Sequence, residues 1–239
     1  MPKAAPPLAQ LHLRSKWMGQ AQALGAGLSL KQVAHRLGVA QSTAFRWRHR
    51  FLARAKSVQA RQLVGIAEAD ESYFLASYKG QRGLLRKGRQ RGGKARAGCK
   101  GSEYTPVLMA RDRAGATASL ILPTNKAVSV QASLQPLLAP DTILCTDASV
   151  TLASAARAFG VRHQAVNVSR GQRVIGPWHV QNVNAYVSRL RGWMQRFTGM
   201  ATKYLEAYLG WFRLLDRSGL MGPQPAQVLG AAMGCQGHH

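Results

Sequence analysis

Three carboxylates fall within four positions, at Glu68, Asp70 and Glu71, in a chain that has 33 basic residues and only 9 acidic ones. They follow a short apolar run, residues 63–66, which predicts a buried strand that ends in the acidic cluster. Carboxylates pressed against a low-dielectric core repel each other unless a cation or a basic side chain compensates their charge. Mg²⁺ or Mn²⁺ is the hard cation that such oxygens favour. The segment therefore predicts a divalent metal site, and the alternative is a strand with a solvated acidic tip.

The net charge of +24 makes a polyanion the expected partner, because lysine and arginine side chains release condensed counterions when they pair with phosphates. Nucleic acid is the leading candidate. No stretch reaches the roughly 18 consecutive apolar residues of a spanning helix, and the start of the chain has no signal-peptide core, so we expect no membrane partner and an intracellular protein. The cysteines Cys99, Cys145 and Cys235 form neither a disulfide framework nor a Cys-x-x-Cys zinc module.

Residues 13–56 have the pattern of a helix-turn-helix domain, after a flexible N-terminus of residues 1–12. Ser29 can cap a first helix, Gly38 supplies the turn, and Gln41 or Ser42 begins a second helix. An ordinary helical hairpin with a basic, solvated face is the alternative. In the helix-turn-helix reading, the residues that face a DNA major groove are Gln41, Ser42, Thr43, Arg46 and Arg50.

A second basic segment, residues 79–100, contains many glycines and no acid. Such a composition cannot collapse on itself and is expected to become ordered against phosphates, although a merely solvated loop would look the same. The residues predicted to contact DNA there are Arg86, Lys87, Arg89, Arg91, Lys94 and Arg96.

The order of elements after the acidic strand predicts an α/β, ribonuclease H-like (integrase-type) core over residues 63–216, followed by a flexible tail, residues 217–239. Two more strands, a helix, an apolar strand that ends in Asp147, a helix, a short strand and a long helix follow in turn. In that fold the first and fourth strands are neighbours, which would bring Asp70 and Asp147 together. Two adjacent carboxylates that share divalent ions are the arrangement for two-metal phosphoryl transfer.

The long helix, predicted from about residue 178 to 197, should carry the usual third ligand but contains no acid. Beyond Asp147 the only carboxylates are Glu206 and Asp216. Both fall in a later helix whose aromatic stripe predicts core packing.

Six motifs of this chain together resemble the bacterial insertion-sequence transposases of the family numbered fifteen-ninety-five. The longest is HVQNVNAYVSRLR, which starts at His179, and the resemblance covers roughly residues 6–216. The other matching stretches are residues 45–51, 67–74, 91–94, 145–147 and 197–211.

The resemblance implies a DDE-type transposase in which Asp70, Asp147 and Asn184 are catalytic residues and bind Mg²⁺ or Mn²⁺, with a catalytic basic residue at Arg191. That family often has asparagine at the third position. An amide oxygen can coordinate Mg²⁺ but brings no charge, so a nearby glutamate, Glu68 or Glu71, could complete the site instead.

The implied function is binding of insertion-sequence ends and metal-dependent DNA strand cleavage and strand transfer. The implied partners are double-stranded DNA, as terminal repeats and target, and further copies of the chain in a homo-oligomer, in the nucleoid of a bacterial cytoplasm. The chain departs from the family in lacking the Cys-x-x-Cys pairs of an N-terminal zinc ribbon, and in Ala148 and Val187, where glycine and histidine are more usual. The alternatives are a non-catalytic helix-turn-helix DNA-binding protein or decayed transposase remnant, and a ribonuclease H-like nuclease or resolvase.

Overall fold

The structure is a computed structural model that describes residues 8, 12–53, 55, 59–84, 103–167, 171, 173–197, 200–219 and 224–233 of the 239-residue chain. The helices are α1 (Trp17–Gly25), α2 (Leu30–Leu37), α3 (Gln41–Leu52), α4 (Ala127–Leu134), α5 (Val150–Phe159), α6 (Gln181–Met194), α7 (Leu205–Arg217) and α8 (Pro225–Met233). The strands are β1 (Ile66–Leu75), β2 (Tyr104–Asp112), β3 (Thr117–Ile121), β4 (Ile143–Asp147) and β5 (Arg162–Val166). Among these residues no helix is long and apolar enough to cross a membrane.

Helices α2 and α3 form the predicted helix-turn-helix. Ser29 closes a capping box, because its Oγ accepts from the Gln32 amide at 3.4 Å while its own amide donates to Gln32 Oε1 at 2.9 Å. Gly38 ends α2 with φ +57°, a left-handed conformation that glycine adopts without strain.

Contacts between residues divide the chain into two compact units, residues 1–58 with 204–239, and residues 59–203. The first unit combines α1–α3 with α7 and α8, whereas the predicted catalytic domain, residues 63–216, extends into α7. The aromatic stripe of α7 explains the grouping: Trp211 Nε1 donates to the Leu24 carbonyl at 2.8 Å, and the buried Arg48 guanidinium lies 5.2 Å from the Trp211 ring centroid.

The predicted flexible tail, residues 217–239, is corrected in part, because it contains helix α8. Val228 and Ala232 of α8 are buried, and α8 packs against α1, so apolar burial holds this segment in place. The predicted flexible N-terminus, residues 1–12, lies almost wholly outside the described residues.

The second unit contains one five-stranded sheet in the order β3-β2-β1-β4-β5. Strands β1, β2 and β3 form an antiparallel meander, and β4 and β5 run parallel to β1. This is the predicted ribonuclease H-like core. On one face of the sheet, Ala67, Ala69 and Leu144 pack into a hydrophobic core with α4 and α5. Helix α6 packs against β1 and β2.

One local prediction is wrong. The sequence predicted that the first strand ends in the acidic cluster, but β1 continues to Leu75 because its pairing with β2 continues to Leu75–Tyr104. Its pairing with β4 stops at Ala69–Thr146. The carboxylates therefore lie in the middle of a long strand, at the point where its neighbour β4 ends.

Candidate metal and nucleic-acid site

Strands β1 and β4 bring Asp70 and Asp147 together. Their parallel register pairs Glu68 with Cys145 and Ala69 with Thr146, so Asp70 and Asp147 are the next residues on the two neighbouring strands. Neighbouring strands lie about 4.8 Å apart. The two carboxylates that the sequence order predicted to be adjacent are thus neighbours at the carboxyl end of β4.

Alternation along β1 separates the three acids of the cluster. Ala67 and Ala69 point into the core with α4 and α5, so Glu71 and Tyr73 share that face of the sheet. Glu68, Asp70 and Ser72 point to the opposite face, where α6 lies. Of the two glutamates expected to assist the metal site, only Glu68 lies on the same face as Asp70.

Asp70 retains its proton more strongly than an ordinary aspartate. Burial, and then repulsion from the Asp147 carboxylate, raise the pKa of Asp70 from 3.8 to about 6, while the Glu71 amide and the Arg191 guanidinium act in the opposite direction. The Glu71 amide donates to Asp70 Oδ1 at 2.8 Å. Burial also raises the pKa of Glu71, whose Oε2 accepts from the Tyr73 hydroxyl at 2.8 Å.

Asp147 is held by its own loop. Its Oδ1 accepts from the Ser149 amide at 3.1 Å, and Ser149 Oγ in turn caps α5. The preceding residue, Thr146, is buried, and its hydroxyl lies 2.8 Å from Nε2 of His163 on β5. Burial lowers the pKa of His163, which favours the neutral imidazole in this contact.

Glu68 joins the sheet to the start of α6. Its side chain is fully buried, and its Oε2 accepts from the Val183 amide at 2.9 Å, one of the amides that a helix leaves without a partner in its first turn. Its Oε1 lies 3.3 Å from Arg113 Nη2 and 3.3 Å from His179 Nδ1. Arg113 also contacts Nε2 of His179 and donates to the Pro177 carbonyl at 3.0 Å. We call Glu68, Arg113, His179 and the Val183 amide the Glu68 anchor.

The other end of α6 is fixed by Arg191, whose Nη2 donates to Ser72 Oγ at 2.9 Å. Because Val183 is bound at Glu68 and Arg191 at Ser72, α6 runs in the same direction as β1. Tyr186 points towards β2 and β3, since its hydroxyl lies 3.3 Å from Ser119 Oγ. The flank of α6 that carries Asn184, Val187 and Arg191 therefore faces the β4 side, where Asp147 lies.

Asn184 is on the flank of α6 that faces the β4 side, and it makes no hydrogen bond with Asp70 or Asp147 among the described residues. Glu68 contacts Val183 and Ser72 contacts Arg191, and Asp70 lies midway between Glu68 and Ser72 on β1. The residue of α6 midway between Val183 and Arg191 is Val187, which therefore lies beside Asp70. Asn184 lies one turn before Val187, about 5 Å away along the helix axis, and is exposed. Arg191 lies one turn after it, close enough to Asp70 to lower its pKa.

The predicted DNA-reading residues of α3 lie opposite its buried face. Ala44, Trp47, Arg48, Phe51 and Leu52 are buried, whereas Ser42, Arg46 and Arg50 form an exposed stripe spaced by four residues. Gln41 is exposed beside this stripe, and Thr43 is half-buried. The other predicted DNA contacts, Arg86, Lys87, Arg89, Arg91, Lys94 and Arg96, lie outside the described residues.

Comparisons with known proteins identify the sheet-bearing unit. The model of the ISXO2-like transposase domain matches residues 62–213. The chain belongs to this transposase family. A homeodomain-like domain model matches residues 14–56, which contain α1–α3. No curated protein matches.

Several solved structures are similar to the chain. An intasome of simian T-cell lymphotropic virus is 12% identical, with 82% of this chain and 68% of that chain covered and a TM-score of 0.35. A Mos1 pre-cleavage transpososome is 12% identical, with 93% and 79% covered and a TM-score of 0.28. A Drosophila P element transposase strand transfer complex is 9% identical, with 86% and 58% covered and a TM-score of 0.38. These scores are too low to carry an argument about activity.

The donor set of this transposase suits a hard divalent cation. Asp70 and Asp147 supply two carboxylates at one position, and a cation between them would remove the repulsion that raises the pKa of Asp70. Within the described ranges, no group of three or more His, Cys, Asp or Glu side chains could hold a metal ion.

Sequence reasoning missed Arg113. It lies in the β2–β3 turn, far from the other site residues along the chain, and nothing in its local pattern links it to Glu68. The only signal was indirect: an acid that a strand pattern buries must find a cation, and Arg113 is a basic residue of the turn between two predicted core strands.

The Glu68 anchor yields a stability prediction. We expect Glu68→Gln to lower the free energy of unfolding by about 3 kcal/mol, because Arg113 then loses its buried charge partner. Urea unfolding measures this change. Asp141→Asn, at an exposed aspartate outside the anchor, is the control and should stay within about 0.5 kcal/mol. Equal stability of the two variants would contradict the anchor.

Asp70 yields a pH prediction. Because its folded pKa, about 6, lies above the unfolded value, the stabilisation by its proton is complete below pH 4 and is lost as the pH rises through 6. In EDTA at pH 8 we therefore expect Asp70→Asn to be more stable than the wild type by about 1–3 kcal/mol, and equally stable near pH 4.

The same experiment reports on metal binding. Mg²⁺ or Mn²⁺ should raise the melting temperature of the wild type and of Asp141→Asn, an exposed control, but not that of Asp70→Asn. A wild type that is more stable than Asp70→Asn in EDTA at pH 8 would contradict the prediction that the ionised Asp70 carboxylate lowers stability.

Proposed function

We propose that the chain is a DDE-type DNA transposase that binds insertion-sequence ends and catalyses metal-dependent strand cleavage and strand transfer. The observation that carries the proposal is the position of Asp70 beside Asp147, one residue beyond the last pair of two adjacent parallel strands, in a chain of a transposase family. A ribonuclease H-like nuclease or resolvase would share the site but lack strand transfer.

The proposed metal ligands are Asp70, Asp147 and the amide oxygen of Asn184. Mg²⁺ or Mn²⁺ would supply Lewis-acid activation of the attacking oxygen and stabilisation of the leaving oxygen. The two aspartates contribute the negative charge. Asn184 contributes an oxygen without charge, and its exposed position one turn from Val187 leaves it free to turn towards the aspartates.

Arg191 is the proposed phosphate-binding residue of the site. Its guanidinium donates a hydrogen bond to Ser72 Oγ, and its positive charge lowers the pKa of Asp70. It lies on the side of α6 that faces β4. A planar guanidinium can hold two phosphate oxygens at once. Bound to the phosphate that flanks the scissile bond, Arg191 would orient the DNA strand while Asp70 and Asp147 hold the reacting groups.

The helix-turn-helix would deliver the element end. The exposed stripe Ser42, Arg46 and Arg50 of α3 has the spacing of a recognition helix, and the basic segment of residues 79–100 adds charge for phosphates. Because transposition joins two ends, we further propose that the active form on DNA is a homo-oligomer, at least a dimer.

A non-catalytic DNA-binding remnant is the second candidate. One observation favours it: Asn184, the third expected ligand, is exposed and lies one turn of α6 before the residue that is level with Asp70. Such a protein would bind element ends without cleaving them.

Cleavage of a labelled duplex distinguishes the two candidates. The substrate carries the element end that flanks the coding sequence. With Mg²⁺ or Mn²⁺ we expect nicked and joined products from the wild type, and at least about 100-fold less from Asp70→Ala and Asp147→Ala, because each removes a ligand that bears charge. Asp141→Ala, at an exposed aspartate, should cleave like the wild type. Binding without products in every case would support the remnant.

DNA binding by α3 is tested by its salt dependence. We expect Arg46→Ala to weaken binding and to reduce the slope of log Kd against log salt by about one, because one phosphate or base contact is lost. Fluorescence anisotropy of the labelled duplex between low and moderate salt measures the slope. Arg217→Ala, at an exposed arginine at the end of α7, should leave it unchanged. Equal slopes for both variants would show that α3 does not contact the DNA.

A further inference from the structure

A cavity of about 580 Å³ opens beside the C-terminal half of β1. Its walls include Tyr73, Tyr104, Pro106, Pro123, Asn125 and Lys126. The volume falls within the range of about 300–1,000 Å³ that is usual for sites of small organic ligands. None of the functions described above uses this cavity, which we call the tyrosine pocket.

The sheet register turns both tyrosines towards the same face. Tyr73 pairs with Pro106, and Leu75 pairs with Tyr104, and directly opposed residues of an antiparallel pair project to one side. Tyr73 and Leu75, two residues apart, share that side. Two aromatic rings and a proline therefore project from one sheet surface beside the segment that leads into α4.

The Tyr73 ring is held in place although it is 42% exposed. Its hydroxyl donates to Glu71 Oε2 at 2.8 Å and also forms a hydrogen bond with Asn125. Glu71 Oε1 is buried and has no hydrogen-bond partner among the described residues. The pocket thus combines aromatic surface, fixed through the Tyr73 hydroxyl, with the side-chain amide of Asn125.

A cation lies at the rim. Lys126 is exposed at the N-cap of α4. A flat ring that bears polar edge groups and is linked to a phosphate matches this set of walls: it can stack on a tyrosine, exchange hydrogen bonds with the Asn125 amide, and place its phosphate near the Lys126 ammonium. A nucleotide has this chemistry.

The pocket lies on the opposite face of the sheet from Asp70, beside the same stretch of β1 that β4 no longer covers. Tyr73 follows Asp70 by three residues on β1, about 10 Å along the strand, which is about three stacked nucleotide steps. Glu71 lies between them and is within the electrostatic reach of Asp147. The recorded pairing of β1 with β4 stops at Ala69, so a DNA strand beside this edge of β1 could reach groups on both faces of the sheet.

We propose that the tyrosine pocket holds one unstacked base of the DNA strand that passes through the metal site, within three nucleotides of the scissile phosphate. This inference rests on the proposed function, since it requires DNA at Asp70 and Asp147. The base stacks on Tyr73 and Tyr104, and Lys126 contacts its phosphate. Removing a base from the duplex stack costs free energy, and stacking on the tyrosines offsets that cost.

A chemical double-mutant cycle tests the proposal. The duplex with the element end carries an abasic nucleotide at each of the three positions on either side of the cleavage phosphate, and binding is measured by anisotropy with Ca²⁺ and the full chain. At one position we expect the abasic change and Tyr73→Leu each to weaken binding at least five-fold, with no further loss when they are combined.

Two matched variants accompany the cycle. Tyr78→Leu removes another exposed tyrosine of the second unit that does not line the pocket, and its effect should be independent of the abasic position. Tyr73→Phe keeps the ring and should retain most of the coupling, which separates stacking from misfolding of the variant.

The outcomes also separate this inference from the proposed function. Additive losses at all six positions would overturn the pocket while leaving cleavage by the wild type as evidence for the transposase. Coupling without cleavage under Mg²⁺ would support the pocket and contradict the catalytic assignment. A wild type that binds no duplex would overturn both.

Discussion

A buried carboxylate, Glu68, fixes the relation between the central strand and helix α6. The cost of taking this charge out of water is offset by the Arg113 guanidinium and the Val183 amide, and the His179 ring lies beside them. These groups come from the β2–β3 turn, the segment before α6 and the first turn of α6. One side chain therefore fixes the position of α6 along β1. That position determines which residues of α6, among them Asn184 and Arg191, lie beside Asp70.

Asp70 and Asp147 have less compensation of their charge than Glu68 has. Asp70 lies beside Asp147 with Arg191 as a partial counter-charge, and its pKa is raised first by burial and then by repulsion from the Asp147 carboxylate. A chain with a net charge of +24 has ample arginine to neutralise this pair, yet Glu68 receives the close arginine contact and Asp70 does not. Leaving two adjacent carboxylates without full compensation lowers stability, and such a site gains the most from a bound cation or ligand.

The sequence was sufficient to predict that the first and fourth strands are neighbours and bring Asp70 and Asp147 together, because strand order in a known fold determines which carboxyl ends meet. It could not predict that β1 extends to Leu75, since that depends on long-range pairing with β2. Nor could it predict the link between Glu68 and Arg113, or the grouping of α7 with the N-terminal helices. Both depend on contacts between distant parts of the chain, which local periodicity does not encode.

The unequal lengths of the two central strands give the site its form. If β1 ended at Asp70, as the sequence suggested, the carboxylates would stand alone at a strand tip. Because β1 continues beside β2 after β4 has ended, Ser72 projects beneath α6 and Tyr73 projects from the other face, within a few residues of Asp70. A strand edge without a neighbour exposes both of its faces to an extended ligand. The same extension therefore supplies an anchor for Arg191 on one side and the wall of the tyrosine pocket on the other.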